Sequence, residues 1–102
     1  MATRAKRDEV SSGNVFLDIG FPPLEAQKLR VRASLMVELI RIVRARKLTQ
    51  ATAAKLFRIS QPRVSDLMTG KIDRFSIDAL VEMLWHSGRR VEVSTKAARR
   101  VA

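Results

Sequence analysis

Two short helices joined by a tight turn are predicted by the stretch TQATAAKLFRISQPRVSDLMTGK, residues 49–71. Thr49 is a residue type that commonly caps the N-terminus of a helix, and the apolar side chains after it recur at helical spacing as far as Phe57. Ser60 is a second capping residue, and Gly70 stands where a left-handed residue commonly ends a helix. The stretch therefore predicts one helix from Thr49 to about Phe57 and a second from Ser60 to just before Gly70.

The start of the second helix carries two further signals. Ile59 and Val64 flank the cap at the spacing of a hydrophobic staple, and Pro62 falls in the first turn, where its missing N–H removes no helical bond. Only Arg58, Ile59 and Ser60 remain between the helices, so the helices must cross steeply, as in a helix-turn-helix. With Val64 and the apolar residues after it turned inward, polar side chains face outward, where the edges of DNA bases would lie.

The stretch resembles the XRE family of lambda-repressor-like helix-turn-helix regulators. The resemblance is carried by Gln50, Ala54, Val64, Leu67 and the Gly70-Lys71 pair. The flanking segments GNVFLDIGFP (13–22) and FSIDALVEML (75–84) resemble a subgroup that contains HigA-type antitoxins. The resemblance spans about residues 13–93. It implies operator binding, autorepression and a small RelE-like ribonuclease toxin as partner.

One residue departs from the family pattern. Arg58 occupies the turn position where the family usually has glycine. A positive φ at this position would cost a non-glycine residue about 1 kcal/mol. We expect either a slightly altered turn or an arginine that is kept there to reach a DNA phosphate.

The polar residues of the second helix are the predicted base contacts. Arg63 suits a bidentate contact to guanine and Gln61 one to adenine, while Ser60 and Ser65 are adaptable secondary contacts. Asp66 could orient Arg63, accept from cytosine or be a solvated charge. Arg63 itself could be only an exposed cation.

A second group of residues is predicted to hold the DNA backbone. The resemblance implies phosphate contacts by Gln50, at the start of the first helix, and by Lys71. Arg58 and Thr69 complete the predicted phosphate-contacting set, which therefore reads Gln50, Arg58, Thr69 and Lys71.

Composition favours a polyanionic partner over catalysis. The chain of 102 residues has 20 basic and 10 acidic residues and a formal net charge of +10. Nucleic acid fits this charge through counterion release, and an anionic membrane surface is the rival partner. With no cysteine, no tyrosine and one histidine, His86, nucleophiles and metal ligands are scarce. We therefore expect no enzyme activity, no cofactor and no metal site.

No apolar run approaches the length of a membrane span, and a cytoplasmic protein of the bacterial nucleoid is the simplest expectation.

The N-terminal half is expected to be an arm, an apolar segment and a long helix. We expect residues 1–12 to form a flexible basic arm, whose cations either reach DNA or stay solvated. Residues 13–21 are rich in apolar side chains and predict a short strand or irregular segment on the protein's own core, or else a docking site for a toxin or second subunit. Residues 24–47 predict the first core helix, with a bend or break near Ala33 and Ser34.

The C-terminal part predicts a helix, a strand and a basic tail. Ser76 caps a helix that ends at Gly88. Its predicted buried face consists of Ile77, Leu80, Val81 and Leu84. Met83 and Trp85 lie off the centre of that face. We favour a position at the edge of the core for these two residues over a position on a dimer surface. Residues 90–94 alternate as a short strand does. Residues 95–102 form a basic tail.

Together these elements predict an all-α, lambda-repressor-like bundle of about five helices, with a possible short C-terminal strand. The predicted DNA-binding domain spans residues 13–94. The expected partner is double-stranded DNA with a palindromic operator, bound by a homodimer on half-sites about one helical turn apart. The expected role is antitoxin and autorepressor with a RelE-like toxin, and the alternative is a stand-alone or phage-like repressor. A nonspecific cationic binder of RNA or membrane is the third possibility.

Overall fold

The computed structural model describes residues 13–98, and this part of the chain is all-helical. Five α-helices and one 3-10 turn follow in the order α1 (Val15–Asp18), α2 (Pro23–Ala45), α3 (Gln50–Phe57), α4 (Gln61–Met68), the 3-10 turn (Ile72–Arg74) and α5 (Ile77–His86). The predicted all-α helix-turn-helix bundle is confirmed. The predicted arm, residues 1–12, and the end of the predicted tail, residues 99–102, lie outside the described residues.

The starts of three helices are set by side-chain caps that the sequence predicted. The side-chain oxygens of Thr49, Ser60 and Ser76 each accept a hydrogen bond from the backbone N–H three residues further on, at 3.0, 3.3 and 3.1 Å. Each bond satisfies one of the backbone donors that the first turn of a helix leaves without a partner. The caps therefore determine where α3, α4 and α5 begin.

The helices of the motif end in left-handed residues. Arg58 closes α3 with φ 61° and ψ 47°, and the N–H of Ile59 then donates to the carbonyl of Ala54 at 3.0 Å. Gly70, after α4, has φ 73°. Lys47, after α2, has φ 52° and so resembles Arg58 in taking this conformation without being glycine. The turn of the motif is therefore held by Arg58 in the conformation that glycine would favour.

One hydrophobic core joins the motif to the rest of the bundle. Helix α4 packs against α3, α5 packs against α2 and α3, and α1 packs against α2. The largest fully buried side chains are Phe57, Phe75, Leu39, Leu67, Leu80 and Val64. Burying a side chain of this size stabilises the fold by about 1.5 to 3 kcal/mol relative to leaving it exposed. The core thus fixes how α4 is rotated about its own axis.

Helix α2 is continuous through Ala33 and Ser34, where the sequence left a bend or break open. Pro23 stands at its first turn, a position that tolerates proline. Beyond its end, the Nη2 atom of Arg46 donates to the carbonyl of Ser87 at 3.2 Å. This bond joins the ends of α2 and α5. None of the helices in the described residues combines the length and the apolar character needed to cross a membrane.

The expectation of a strand or irregular packed segment over residues 13–21 is wrong. Asn14 caps a helical turn there, because its Oδ1 accepts from the N–H groups of Phe16 and Leu17 at 3.0 and 3.3 Å. The Nδ2 atom of Asn14 donates to the carbonyl of Ala26 at 3.1 Å and ties α1 to α2. Several apolar side chains of this segment stay exposed, namely Val15, Leu17, Ile19 and Phe21.

The strand expected over residues 90–94 is not formed. The segment has no regular secondary structure, and Arg90 and Glu92 form an ion pair at 2.7 Å. Val91 packs against the core, but Val93 is 82% exposed. A strand needs a neighbour for its backbone hydrogen bonds, and the apolar segment that could have paired with it is the helix α1.

The buried face of α5 differs from the predicted one by a rotation of the helix. Leu80 and Leu84 are buried as expected, and Met83 is buried with them. Ile77 and Val81 are each 36% exposed, and Trp85 is 66% exposed. The interpretation of Trp85 as a residue at the edge of the core is therefore wrong. Helix α5 presents an apolar stripe, Ile77, Val81 and Trp85, which the described residues leave exposed.

Candidate nucleic-acid interface

Helix α4 presents a polar ridge on the side opposite the core. Val64 and Leu67 are completely buried and face inward. At 3.6 residues per turn, this orientation places the opposite side of the helix at Pro62, Ser65, Asp66 and Thr69. These four residues are called the outer ridge below. The outer ridge has the size and polarity of a helix surface that could enter a DNA major groove.

The predicted base contacts at the start of α4 are accessible. Gln61 is exposed at the first helical position, and Ser60 is exposed before it. The Oγ atom of Ser60 accepts the cap hydrogen bond, which leaves its hydroxyl hydrogen available to a second partner. Ser65 is half-buried one turn further along. Ser60 and Gln61 therefore lie at the N-terminal end of α4, and Ser65 lies on the same flank of the helix as Gln61.

Arg63 lies on the other flank of α4, and its guanidinium is held by the protein. Its Nη1 atom donates to the carbonyl oxygen of Arg74 at 2.7 Å. Its guanidinium carbon lies 4.3 Å from the centre of the Phe75 ring, in a cation–π contact. Arg63 is consequently half-buried and not the freely exposed cation that the sequence left open as an alternative.

Asp66 connects the outer ridge to the segment after α4. One carboxylate oxygen lies 3.6 Å from the Nζ atom of Lys71, and the other lies 3.4 Å from the Nη1 atom of Arg74. One role considered for Asp66 was to orient Arg63 directly, and the structure does not show that contact. Asp66 holds the side chain of Arg74, whose backbone carbonyl in turn accepts from Arg63.

Sequence reasoning missed Arg74 and Phe75 as partners of the predicted site. The Ile72–Arg74 turn folds back beside α4 and brings both residues to Arg63. No local pattern in the sequence links position 63 to positions 74 and 75, because their contact depends on the direction in which this turn folds. The only available signal was that a basic and an aromatic residue follow the motif closely.

The predicted phosphate contacts lie around the motif and are all exposed. Gln50 is at the first turn of α3, Arg58 is in the turn, and Lys71 follows α4 beside its ion-pair partner Asp66. Thr69 differs from the others, because its Oγ1 donates to the carbonyl of Ser65 at 2.8 Å. A phosphate contact by the Thr69 hydroxyl would require it to leave this internal bond.

Metal-ligating side chains are not clustered in this region. Among residues 13–98, no group of three or more His, Cys, Asp or Glu side chains is arranged to hold a metal ion.

Comparison with known proteins gives matches to a protein family and to a solved structure. A family model described as a helix-turn-helix domain matches residues 15–96. A solved structure named as a candidate XRE family transcriptional regulator is similar, with a TM-score of 0.68 and 28% sequence identity over 76% of this chain and 94% of that chain. No curated protein has a significant match. The residues matched by the family model include the motif and the helices that support it.

Proposed function

The chain belongs to the helix-turn-helix domain family and is a DNA-binding transcriptional regulator, and on this premise we propose that it is a sequence-specific repressor that places α4 in the major groove of its operator. The observation that carries the proposal is the orientation of α4. Its apolar residues Val64 and Leu67 are completely buried, so its polar outer ridge and its first turn are left to meet DNA.

Direct readout is assigned to the start of α4. Gln61 pairs with adenine, and Ser60 and Ser65 make secondary contacts. Arg63 pairs with guanine through donors other than the Nη1 hydrogen that Arg74 engages, since a guanidinium has further N–H groups. Each bidentate pair contributes about 1 to 3 kcal/mol of discrimination between bases. The ring of Phe75 pre-organises Arg63, which reduces the entropy lost on binding.

Backbone contacts fix the position of α4 along the duplex. Gln50 meets a phosphate at the N-terminus of α3, while Arg58 and Lys71 supply charge on either side of α4, and Thr69 adds a hydroxyl. These contacts carry no base information. The two cations among them, Arg58 and Lys71, are expected to make binding dependent on salt, because each phosphate that a cation neutralises releases counterions.

A binding titration tests this function. The purified protein is titrated against its own upstream DNA and against a scrambled duplex over a series of salt concentrations, in parallel with Gln61→Ala. We expect a strong preference for the upstream DNA that Gln61→Ala reduces, with affinity for the scrambled duplex unchanged. Equal binding of both duplexes by the wild type would argue against autorepression, and failure to enrich any sequence from a random pool would argue against specific DNA binding altogether.

We further propose a homodimer that uses the exposed stripe of α5. One copy of the motif offers few base contacts, and two copies on half-sites about one helical turn apart would supply useful specificity. Ile77 and Trp85 each lie four residues from Val81. A two-fold axis through the contact of the two Val81 side chains would therefore place Ile77 of one copy against Trp85 of the other.

The finer biological role that we propose is that of an antitoxin. The resemblance of the flanking segments to HigA-type antitoxins supports it, as does the exposed apolar surface of α1 and its neighbours, where a small RelE-like toxin could dock. Co-expression with the adjacent open reading frame tests this role, with co-purification and relief of growth arrest as the readouts. An adjacent product that neither binds nor arrests growth would favour the alternative, a stand-alone or phage-like repressor.

A further inference from the structure

Asp66 is an acidic residue in the part of the protein that is proposed to face DNA. It belongs to the outer ridge of α4, yet its side chain is only 16% exposed, compared with 48% for Lys71 and 55% for Arg74. The two cations contact separate oxygens of the same carboxylate, at 3.6 and 3.4 Å. The carboxylate therefore lies between two positive side chains at the edge of the proposed interface.

Stability does not account well for this arrangement. The two cations are about half-exposed, so water and salt screen their attraction to the carboxylate and limit what the pairs contribute to folding. In contrast, a negative charge beside a duplex repels every phosphate near it, whatever the base sequence. The carboxylate should consequently affect DNA binding more than it affects folding.

We propose that Asp66 is a specificity-determining residue that lowers the affinity for non-cognate DNA by restraining Lys71 and Arg74. The inference rests on the proposed function. Held by the carboxylate, the two cations meet phosphates in the one register that the base contacts of α4 allow. Released from it, they reach phosphates in any register and strengthen binding to non-cognate sequences, while on the cognate sequence they gain no further contact.

The same carboxylate also supports Arg63 indirectly. Asp66 holds the side chain of Arg74, and the carbonyl of Arg74 accepts from Arg63. Loss of the carboxylate therefore frees one neighbour of the guanine-reading side chain while it strengthens the binding of non-cognate DNA. Both effects lower the ratio of specific to nonspecific affinity.

The test compares Asp66→Asn with Asp73→Asn, a matched neutralisation in the adjacent 3-10 turn. Asp73 is exposed and is absent from the ion pairs of residues 13–98. The probes are a duplex that the wild type recovers from a random-sequence pool and a scrambled version of it. For Asp66→Asn we expect about three- to tenfold tighter binding of the scrambled duplex, a salt dependence steeper by about one released counterion, and no gain on the recovered duplex. For Asp73→Asn we expect smaller changes that are equal on both duplexes.

Three results would overturn the inference. Equal effects of the two neutralisations would show that only net charge matters. A loss of preference at a single C·G pair, with the scrambled duplex bound as before, would show that Asp66 reads cytosine directly. An unchanged ratio in Asp66→Asn would show that the carboxylate has no role in binding. If instead the wild type enriched no sequence from the pool, the proposed function would fail first, and the inference would fall with it.

Discussion

Arg63 in helix α4 and Phe75 in the segment after it form a cation–π pair, with 4.3 Å between the guanidinium carbon and the ring centre. Phe75 is 2% exposed and also belongs to the core. The core therefore extends, through this ring, to the proposed base-reading side chain. The position of Arg63 depends on how the bundle packs as well as on helix α4.

Arg63→Lys should abolish much of the sequence preference while sparing general DNA binding. Lysine keeps the charge but lacks the planar fork that stacks on Phe75 and pairs with guanine. We expect the preference for a cognate over a scrambled duplex to fall by about 1 to 3 kcal/mol, measured by titrations at fixed salt. Equal weakening on both duplexes would instead identify Arg63 as a phosphate contact.

Arg58→Gly should stabilise the fold and weaken DNA binding. Glycine removes the strain of φ 61°, and we expect the free energy of unfolding to rise by about 0.5 to 1 kcal/mol in urea titrations. The lost charge should reduce the salt dependence of DNA binding by about one counterion on every sequence. Arg58→Ala is the control, since it loses the same charge and keeps the strain. Similar stability of the two variants would contradict the strain explanation.

Trp85→Ala should produce monomers without unfolding the protein. Trp85 is 66% exposed within its own chain, so its truncation opens no cavity there. We expect sedimentation to show a shift from dimer to monomer, with weaker binding to a two-half-site duplex. Met83→Ala, in the same helix but 2% exposed, should cost about 2 to 5 kcal/mol of stability. A Trp85→Ala protein that sediments like the wild type would rule out the α5 stripe as the dimer contact.

Ser60→Ala should lower both stability and DNA affinity. Its Oγ accepts the cap bond of α4 at 3.3 Å, and loss of such a cap costs about 1 kcal/mol. Ser76→Ala removes the corresponding cap of α5 and should destabilise the fold by a similar amount. Thermal unfolding measures both losses. Only Ser60→Ala should weaken binding to the cognate duplex, and a similar loss of DNA affinity in Ser76→Ala would show that the effect arises from stability alone.

The sequence by itself determined the helix-turn-helix and its boundaries. The caps at Thr49, Ser60 and Ser76, and the turn that Arg58 closes, depend on hydrogen bonds between residues no more than five positions apart. Interactions of this range follow from residue type and spacing. Gly70 likewise marks the end of α4 without help from the rest of the fold.

Only the tertiary structure decided how those elements use their side chains. Residues 13–21 contain the short helix α1, which packs on α2, and residues 90–94 were left without a strand to pair with. The exposure of Trp85 was decided by the rotation with which α5 packs on α2 and α3. Arg63 was placed by Phe75 and by the carbonyl of Arg74, which are distant in sequence and adjacent only after the chain folds back. Such contacts depend on the packing of the whole bundle, which no local pattern encodes.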